Sequence, residues 1–151
     1  MVARSPNRLC SVSVTGQILR IHEQLYERTD GRIGHRMIGV PTLLLRTTGR
    51  RSGATRTNGL VYARDGDDYL VVASNGGADR PPAWLHNLGA NPDVEIQIAR
   101  ERRKGTAKVF EPTDPDYDRL WRLVNENNRD RYTAYQTQTA RPIPVIVLTP
   151  T

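Results

Sequence analysis

Asn58-Gly59-Leu60-Val61-Tyr62-Ala63-Arg64, then Asp65-Gly66, then Asp67-Asp68-Tyr69-Leu70-Val71-Val72-Ala73: this stretch is a strand signal, a turn dipeptide and a second strand signal. Asp-Gly suits a tight hairpin because glycine takes positive φ at no steric cost. The chain therefore reverses here and the flanking strands pair antiparallel. Tyr69 to Ala73 is almost continuously apolar, as a strand covered on both faces should be. Upstream, Val40 to Arg46 reads as another strand, joined to the first through a glycine-bounded turn. Downstream, Val94-Glu95-Ile96-Gln97-Ile98 alternates strictly, which predicts a half-buried strand. Arg102 to Lys104 with Gly105 reads as a turn, Thr106 to Phe110 as the returning strand, and Pro144 to Leu148 as the last strand. About six strands and three helices joined mainly by hairpins argue for a mainly β chain, an antiparallel barrel or sandwich with helices attached. A doubly wound fold would alternate helices regularly with strands.

The helices sit around these strands. Residues 1–12 read as a loose, flexible N-terminal arm, and a helix is expected from Thr15, with Ile18, Ile21, His22, Leu25 and Tyr26 at helical spacing until Thr29-Asp30-Gly31. Pro81-Pro82 can start a short helix over Ala83 to Leu88, stopped by Gly89-Ala90-Asn91-Pro92. Pro112-Thr113-Asp114 caps a third helix, whose apolar face is Tyr117, Leu120, Trp121 and Val124. Asn125 to Gln138 shows no clean period.

The chain has 151 residues, enough for one compact domain, and a net charge of +6 carried almost wholly by arginine. Such a balance favours an anionic partner without choosing among a phosphorylated cofactor, nucleic acid and an anionic membrane surface. Cys10 is the sole cysteine, which excludes an intrachain disulfide, a cysteine zinc site and a CxxC redox motif. His22, His35 and His86 fall in unrelated segments, so no metal site is expected. No apolar run approaches the roughly 20 residues of a membrane span. The nucleotide-binding G-x-x-x-x-G-K-[ST] loop, G-x-G-x-x-G after a strand, G-x-S-x-G and H-E-x-x-H are all missing.

Four segments could hold an extended anionic ligand instead. Thr47-Thr48-Gly49-Arg50-Arg51-Ser52-Gly53-Ala54-Thr55-Arg56 packs three arginines into a glycine turn. Planar guanidinium forks fit phosphate or carboxylate, although a solvated basic hairpin has the same composition. Ser74-Asn75-Gly76-Gly77 is a strand end whose amides and hydroxyl could line a ring or phosphate. Pro82-Ala83-Trp84-Leu85-His86-Asn87 offers an apolar wall and a bifunctional amide, while Trp84 is equally an ordinary core residue. Arg129-Asp130-Arg131-Tyr132-Thr133-Ala134-Tyr135 places phenols near cations, and Tyr132 and Tyr135 could stack on a planar substrate, donate a proton, or simply belong to an amphipathic surface.

In their order and spacing these segments resemble the deazaflavin-dependent nitroreductase family, the actinobacterial reductases that use coenzyme F420. The resemblance rests on Thr48 to Gly53, Arg56-Thr57-Asn58, Val72 to Gly77, Pro82 to Pro92, Tyr135-Gln136 and Arg141 to Val145, and covers about residue 40 to the C-terminus. It implies a split antiparallel β-barrel over residues 13–151, similar to the barrels that bind flavin mononucleotide. It also implies an enzyme moving hydride from the reduced deazaflavin to an electron-poor small molecule: a quinone, an enone or a nitroaromatic. By resemblance, the cofactor would lie against Arg50, Arg51, Ser52, Arg56, Thr57, Asn58, Gly59, Leu60 and Val61 on one side. Val72, Ala73, Ser74 and Asn75, with Ala83, Trp84, Leu85, His86 and Asn87, would form the other. Ser74, Tyr132 and Tyr135 would be the catalytic groups. Relatives can carry a tyrosine where this chain has Arg129, so nitroimidazole reduction is less expected than quinone or enone reduction.

Flavin mononucleotide on the same barrel is the alternative cofactor, disfavoured because one phosphate needs fewer cations than a glutamyl tail. A non-catalytic F420 carrier would bind without turnover. A nucleic-acid module is disfavoured because Tyr62 and Tyr69 are isolated rather than interleaved with basic residues. The expected setting is cytoplasmic, with at most peripheral contact at the inner membrane face, for a protein that could form a homodimer.

Overall fold

Residues 36–37 and 40–151 are described by the structure, a computed structural model. The expected arm over residues 1–12, the expected helix from Thr15, and Cys10, His22 and His35 lie outside the described residues.

The strands are β1 (Arg36–Met37), β2 (Val40–Thr48), β3 (Thr55–Val61), β4 (Ala63–Asp65), β5 (Asp68–Val72), β6 (Asp93–Ile98), β7 (Glu101–Phe110) and β8 (Val145–Pro150). Every pairing is antiparallel. The path β2-β6-β7-β8-β5-β4 is extended by β3, which pairs with β2 along its whole length from Thr48↔Thr55 to Thr42↔Val61. The two edge strands β3 and β4 are thus consecutive in the chain, with only Tyr62 between them. Its N–H donates to the Pro41 carbonyl at 3.2 Å, so the corner is tied back onto β2. A sheet whose two ends meet through one residue must curl, and the result is a split β-barrel with helices attached.

β5 shows why the apolar run decides this architecture. Tyr69 and Val71 face a cluster with Leu43, Leu45, Trp84, Ile96 and Leu148, while Leu70 and Val72 face a second cluster with Leu120, Val124 and Ile143. The first cluster fills the barrel; the second lies beneath α2 (Tyr117–Asn127) and α3 (Arg131–Gln136). Burying each such aliphatic side chain contributes about 1.5–3 kcal/mol, so both faces of β5 are anchored.

Two sequence expectations need correction. Arg102 to Lys104 with Gly105 is no turn: β7 starts at Glu101, and the reversal falls at Ala99 and Arg100 between Ile98↔Glu101. Ala99 accepts φ of 52° there, an unusual value for a residue with a Cβ. Gly105 belongs to the strand because β8 runs close beside it, so a Cβ would meet the Thr149 carbonyl oxygen at 2.9 Å. The aperiodic stretch after Asn125 contains α3, a helix too short to display an apolar stripe. α1 (Ala83–Ala90) forms where Pro81-Pro82 predicted it and runs two residues further.

Candidate functional site

A cleft of about 1490 Å³ lies between β3, the arginine turn, α1, α3 and the 74–80 loop. β3 is its floor: Thr57, Asn58, Gly59, Leu60 and Val61 line it and are all half-buried. At one end, Gly49 to Ser52 and Arg56 form the rim. The turn has its own geometry. The Gly49 N–H donates to Ala54 O at 2.7 Å, Gly53 N–H to Gly49 O at 2.9 Å, and Gly53 takes φ of 70°. Arg50 and Arg51 are consequently exposed at the tip, beside the cleft.

Asn87 holds this turn in place. It is 7% exposed on α1; its Oδ1 accepts from the Arg50 N–H at 3.1 Å, and its amide donates to the Thr47 hydroxyl at 3.3 Å. The turn is therefore docked on α1 through one buried amide.

The opposite wall begins where β5 ends. Val72, Ser74 and Asn75 line the cleft there, and Ala73, wholly buried in the barrel core, does not. The loop that follows is fixed by Arg141. Its guanidinium donates to the carbonyls of Ala73 at 3.2 Å, Ser74 at 2.8 Å and Ala78 at 2.8 Å. Gly77 at φ 83° lets this loop pass close to α3, where a Cβ would stand 3.0 Å from the Tyr135 carbonyl. Ser74 is buried and lines the cleft, and its hydroxyl makes no hydrogen bond among the described residues. A buried polar group without a partner is costly unless a ligand or water satisfies it.

α1 contributes Ala83, Trp84 and Asn87 to the lining. Trp84 does both things its type allows, since it packs in the barrel core and reaches the cleft. Leu85 packs against the core and His86 is exposed, and neither lines the cleft. On the far side stand Tyr132, Tyr135 and Asn128. The two phenol rings meet edge-on at 6.4 Å. Burial pushes the Tyr132 phenol well above its ordinary range, opposed by its hydrogen bond with the Asn128 side chain, so it stays protonated. Asn125 joins α2 to α3 by accepting from the Thr133 N–H at 3.0 Å.

Five arginines line the cleft, Arg50, Arg51, Arg56, Arg80 and Arg131, and no carboxylate does. None of the five is ion-paired among the described residues. Arg129 is exposed at φ 54° and lies off the lining, so the cationic residue of α3 that reaches the cleft is Arg131. Arg80 and Asn128 were not singled out by the sequence, because an exposed cation and an asparagine on aperiodic segments look like solvated surface; Arg131 falls in the segment of cations and phenols that the sequence marked as able to hold a ligand. A second, smaller cavity of about 420 Å³ lies by Arg46, Glu95 and Lys104, with Arg46 spent on Glu95 and Gln97.

No helix among the described residues is long and apolar enough to cross a membrane. Among them, no cluster of histidine, cysteine and carboxylate groups could hold a metal ion.

Comparison with known proteins gives the family of the chain. An F420H(2)-dependent quinone reductase of Mycobacterium tuberculosis is 60% identical over 134 residues, covering 88% of this chain and 90% of the relative. A solved F420-H2 dependent reductase superposes with a TM-score of 0.64 at 35% identity, covering 72% of this chain and 93% of that one. A structure described as a domain-swapped dimer superposes with a TM-score of 0.67 at 31% identity, covering 90% of this chain and 99% of the other. The family profile described as F420H(2)-dependent quinone reductase matches residues 18–150, and the chain belongs to that family.

Proposed function

We propose that this protein transfers hydride from reduced coenzyme F420 to a quinone held in the same cleft. The charge of the cleft carries the reading: five guanidiniums and no carboxylate line it, on a chain of this family. A deazaflavin with a phosphate and a glutamyl tail is the kind of polyanion that such a lining suits. The unpartnered Ser74 hydroxyl fits a second requirement, a hydrogen-bonding group at the edge of a planar ring.

Bound there, the deazaflavin supplies the hydride, which is why the chain needs no catalytic triad. The chain's residues bind, orient and manage the proton. Arg50, Arg51 and Arg56, with Ser52, hold the anionic tail, and Asn87 keeps that turn preorganised. Thr57 to Val61 support the ligand along β3. Val72, Asn75, Ala83 and Trp84 form the wall against the ring, Ala73 and Leu85 support it from the core, and exposed His86 takes no part. Ser74 polarises the acceptor carbonyl. Tyr132, kept neutral by burial, holds a phenol proton on the far side of the cleft, and Tyr135 closes the aromatic side of the pocket. A preorganised donor at a developing oxyanion is worth roughly 3–4 kcal/mol of barrier.

The test is a fluorescence titration with F420 and with flavin mononucleotide, on the wild type and on Arg50→Ala/Arg56→Ala. The reading expects F420 to bind tighter than the flavin and to weaken in the variant. Preference for flavin mononucleotide, or no effect of the double substitution, would overturn it.

The finer expectation is a cytoplasmic enzyme with at most peripheral membrane contact, tested by sedimentation with lipid vesicles. The dimeric neighbour supports a homodimer, tested by light scattering.

A further inference from the structure

We propose that Arg131 selects acceptors bearing an anionic group, so that acidic quinones are favoured substrates; this rests on the hydride-transfer reading of the cleft. The cleft's guanidiniums do not form one group. Arg56 pairs with Thr47 beside the arginine turn. At the other end of β3, the Tyr62 carbonyl accepts a hydrogen bond from the Asn127 amide at 2.7 Å, which fixes the end of α2 there. The strand from Arg56 to Tyr62 runs about 20 Å at about 3.3 Å per residue. Arg131 follows Asn127 closely, and its N–H donates to the Asn128 carbonyl at 3.2 Å. It therefore stands at the end opposite the turn, beside Tyr132 and Tyr135.

A tail held by Arg50, Arg51 and Arg56, with its ring beside Ser74 and Trp84, leaves Arg131 facing the remaining space. That space is where the acceptor must lie. Arg131 has no carboxylate partner among the described residues, and the adjacent Asp130 is exposed and off the lining. A guanidinium at the wall of a small-molecule cleft, next to two phenol rings, suits a planar aromatic ligand with a carboxylate or sulfonate substituent. The rings cover the planar face, and the guanidinium forks onto the anion.

The experiment measures kcat/KM for F420H2 oxidation with menadione, which is neutral, and with a naphthoquinone sulfonate, in the wild type, Arg131→Gln and Arg56→Gln. F420 affinity is measured alongside. Intrinsic reactivity differs between the two acceptors but cancels in each wild-type-to-variant ratio. Arg131→Gln should lower kcat/KM for the sulfonate about tenfold more than for menadione, a difference of roughly 1.4 kcal/mol. Arg56→Gln should weaken F420 binding and lower both acceptors alike. Equal loss on both acceptors in Arg131→Gln would overturn the proposal and assign the guanidinium to charge developing on the quinone oxygen. Weaker F420 binding in Arg131→Gln would overturn it too, by assigning the residue to the cofactor tail. Menadione turnover in every protein keeps the hydride-transfer reading standing while the inference falls; no turnover with either acceptor in the wild type removes both.

Discussion

Replacing Asn87 with alanine should separate the tail of the cofactor from its ring. The side chain makes two hydrogen bonds, accepting from the Arg50 N–H and donating to the Thr47 hydroxyl. Thr47 is 2% exposed, so its hydroxyl cannot turn to bulk water once the amide is gone. Two bonds at about 1 kcal/mol each, plus part of the cost of an unsatisfied buried group, make roughly 2–3 kcal/mol. For a domain of this size that corresponds to a fall of about 4–10 °C in Tm. Arg50 and Arg51 then lose their docked starting position, and ordering the turn on binding costs affinity, about tenfold in Kd. The assay is a fluorescence titration with F420 and with the deazaflavin nucleoside that lacks phosphate and glutamates. F420 should weaken about tenfold and the tailless nucleoside less than about threefold. Equal weakening of both would refute the reasoning, because Asn87 would then act on the ring. No weakening of either would show that the turn needs no docking.

Arg141→Lys should lower kcat/KM with menadione, since one ammonium cannot reach the carbonyls of Ala73, Ser74 and Ala78 together; unchanged F420 affinity beside the lower rate would place the effect at Ser74. Gly77→Ala should lower Tm by several degrees and reduce activity, because a Cβ at φ 83° would crowd the Gln138 side chain at 2.9 Å and the Tyr135 carbonyl, at a cost of about 1–3 kcal/mol. The Tyr117 phenol is buried, donates to the Ile143 carbonyl at 2.6 Å and is pushed up to about 12 by that burial. Its contribution to stability is full below the ordinary phenol value near 10, where both states hold the proton, and is lost as pH rises from about 10 through the folded value. Urea unfolding from pH about 9 to 11 should show a decline that is shallower in Tyr117→Phe.

The hairpin and the doubly covered strand were legible because their causes are local. Asp65-Gly66 reverses the chain by its own backbone preference, and the apolar run of β5 needs no knowledge of what covers it. Gly105 was misread for the opposite reason: its small side chain answers to β8, more than forty residues away, and nothing nearby announces that approach. The same holds for the site. The arginine turn, Ser74, Trp84 and the two tyrosines stood out by residue type, and the structure brings them to one cleft. Asn87 and Arg141 position that cleft through contacts with distant backbone, so their roles depend on pairings that no short stretch contains. Arg131 stood in a segment marked for its cations and phenols, but the sequence did not separate it from Arg129. Both it and Arg129 are exposed cations, and the left-handed backbone at Arg129 and Asp130 turns the chain before α3.

The central claim is that one cleft carries hydride from reduced F420 to a quinone. It is tested most directly by loading the protein with F420H2, mixing it with menadione and following the return of oxidised F420 fluorescence. The account predicts a rate that rises with protein concentration, saturates in menadione and drops in Ser74→Ala at unchanged F420 affinity. A rate no faster than that of F420H2 and menadione without protein would contradict it.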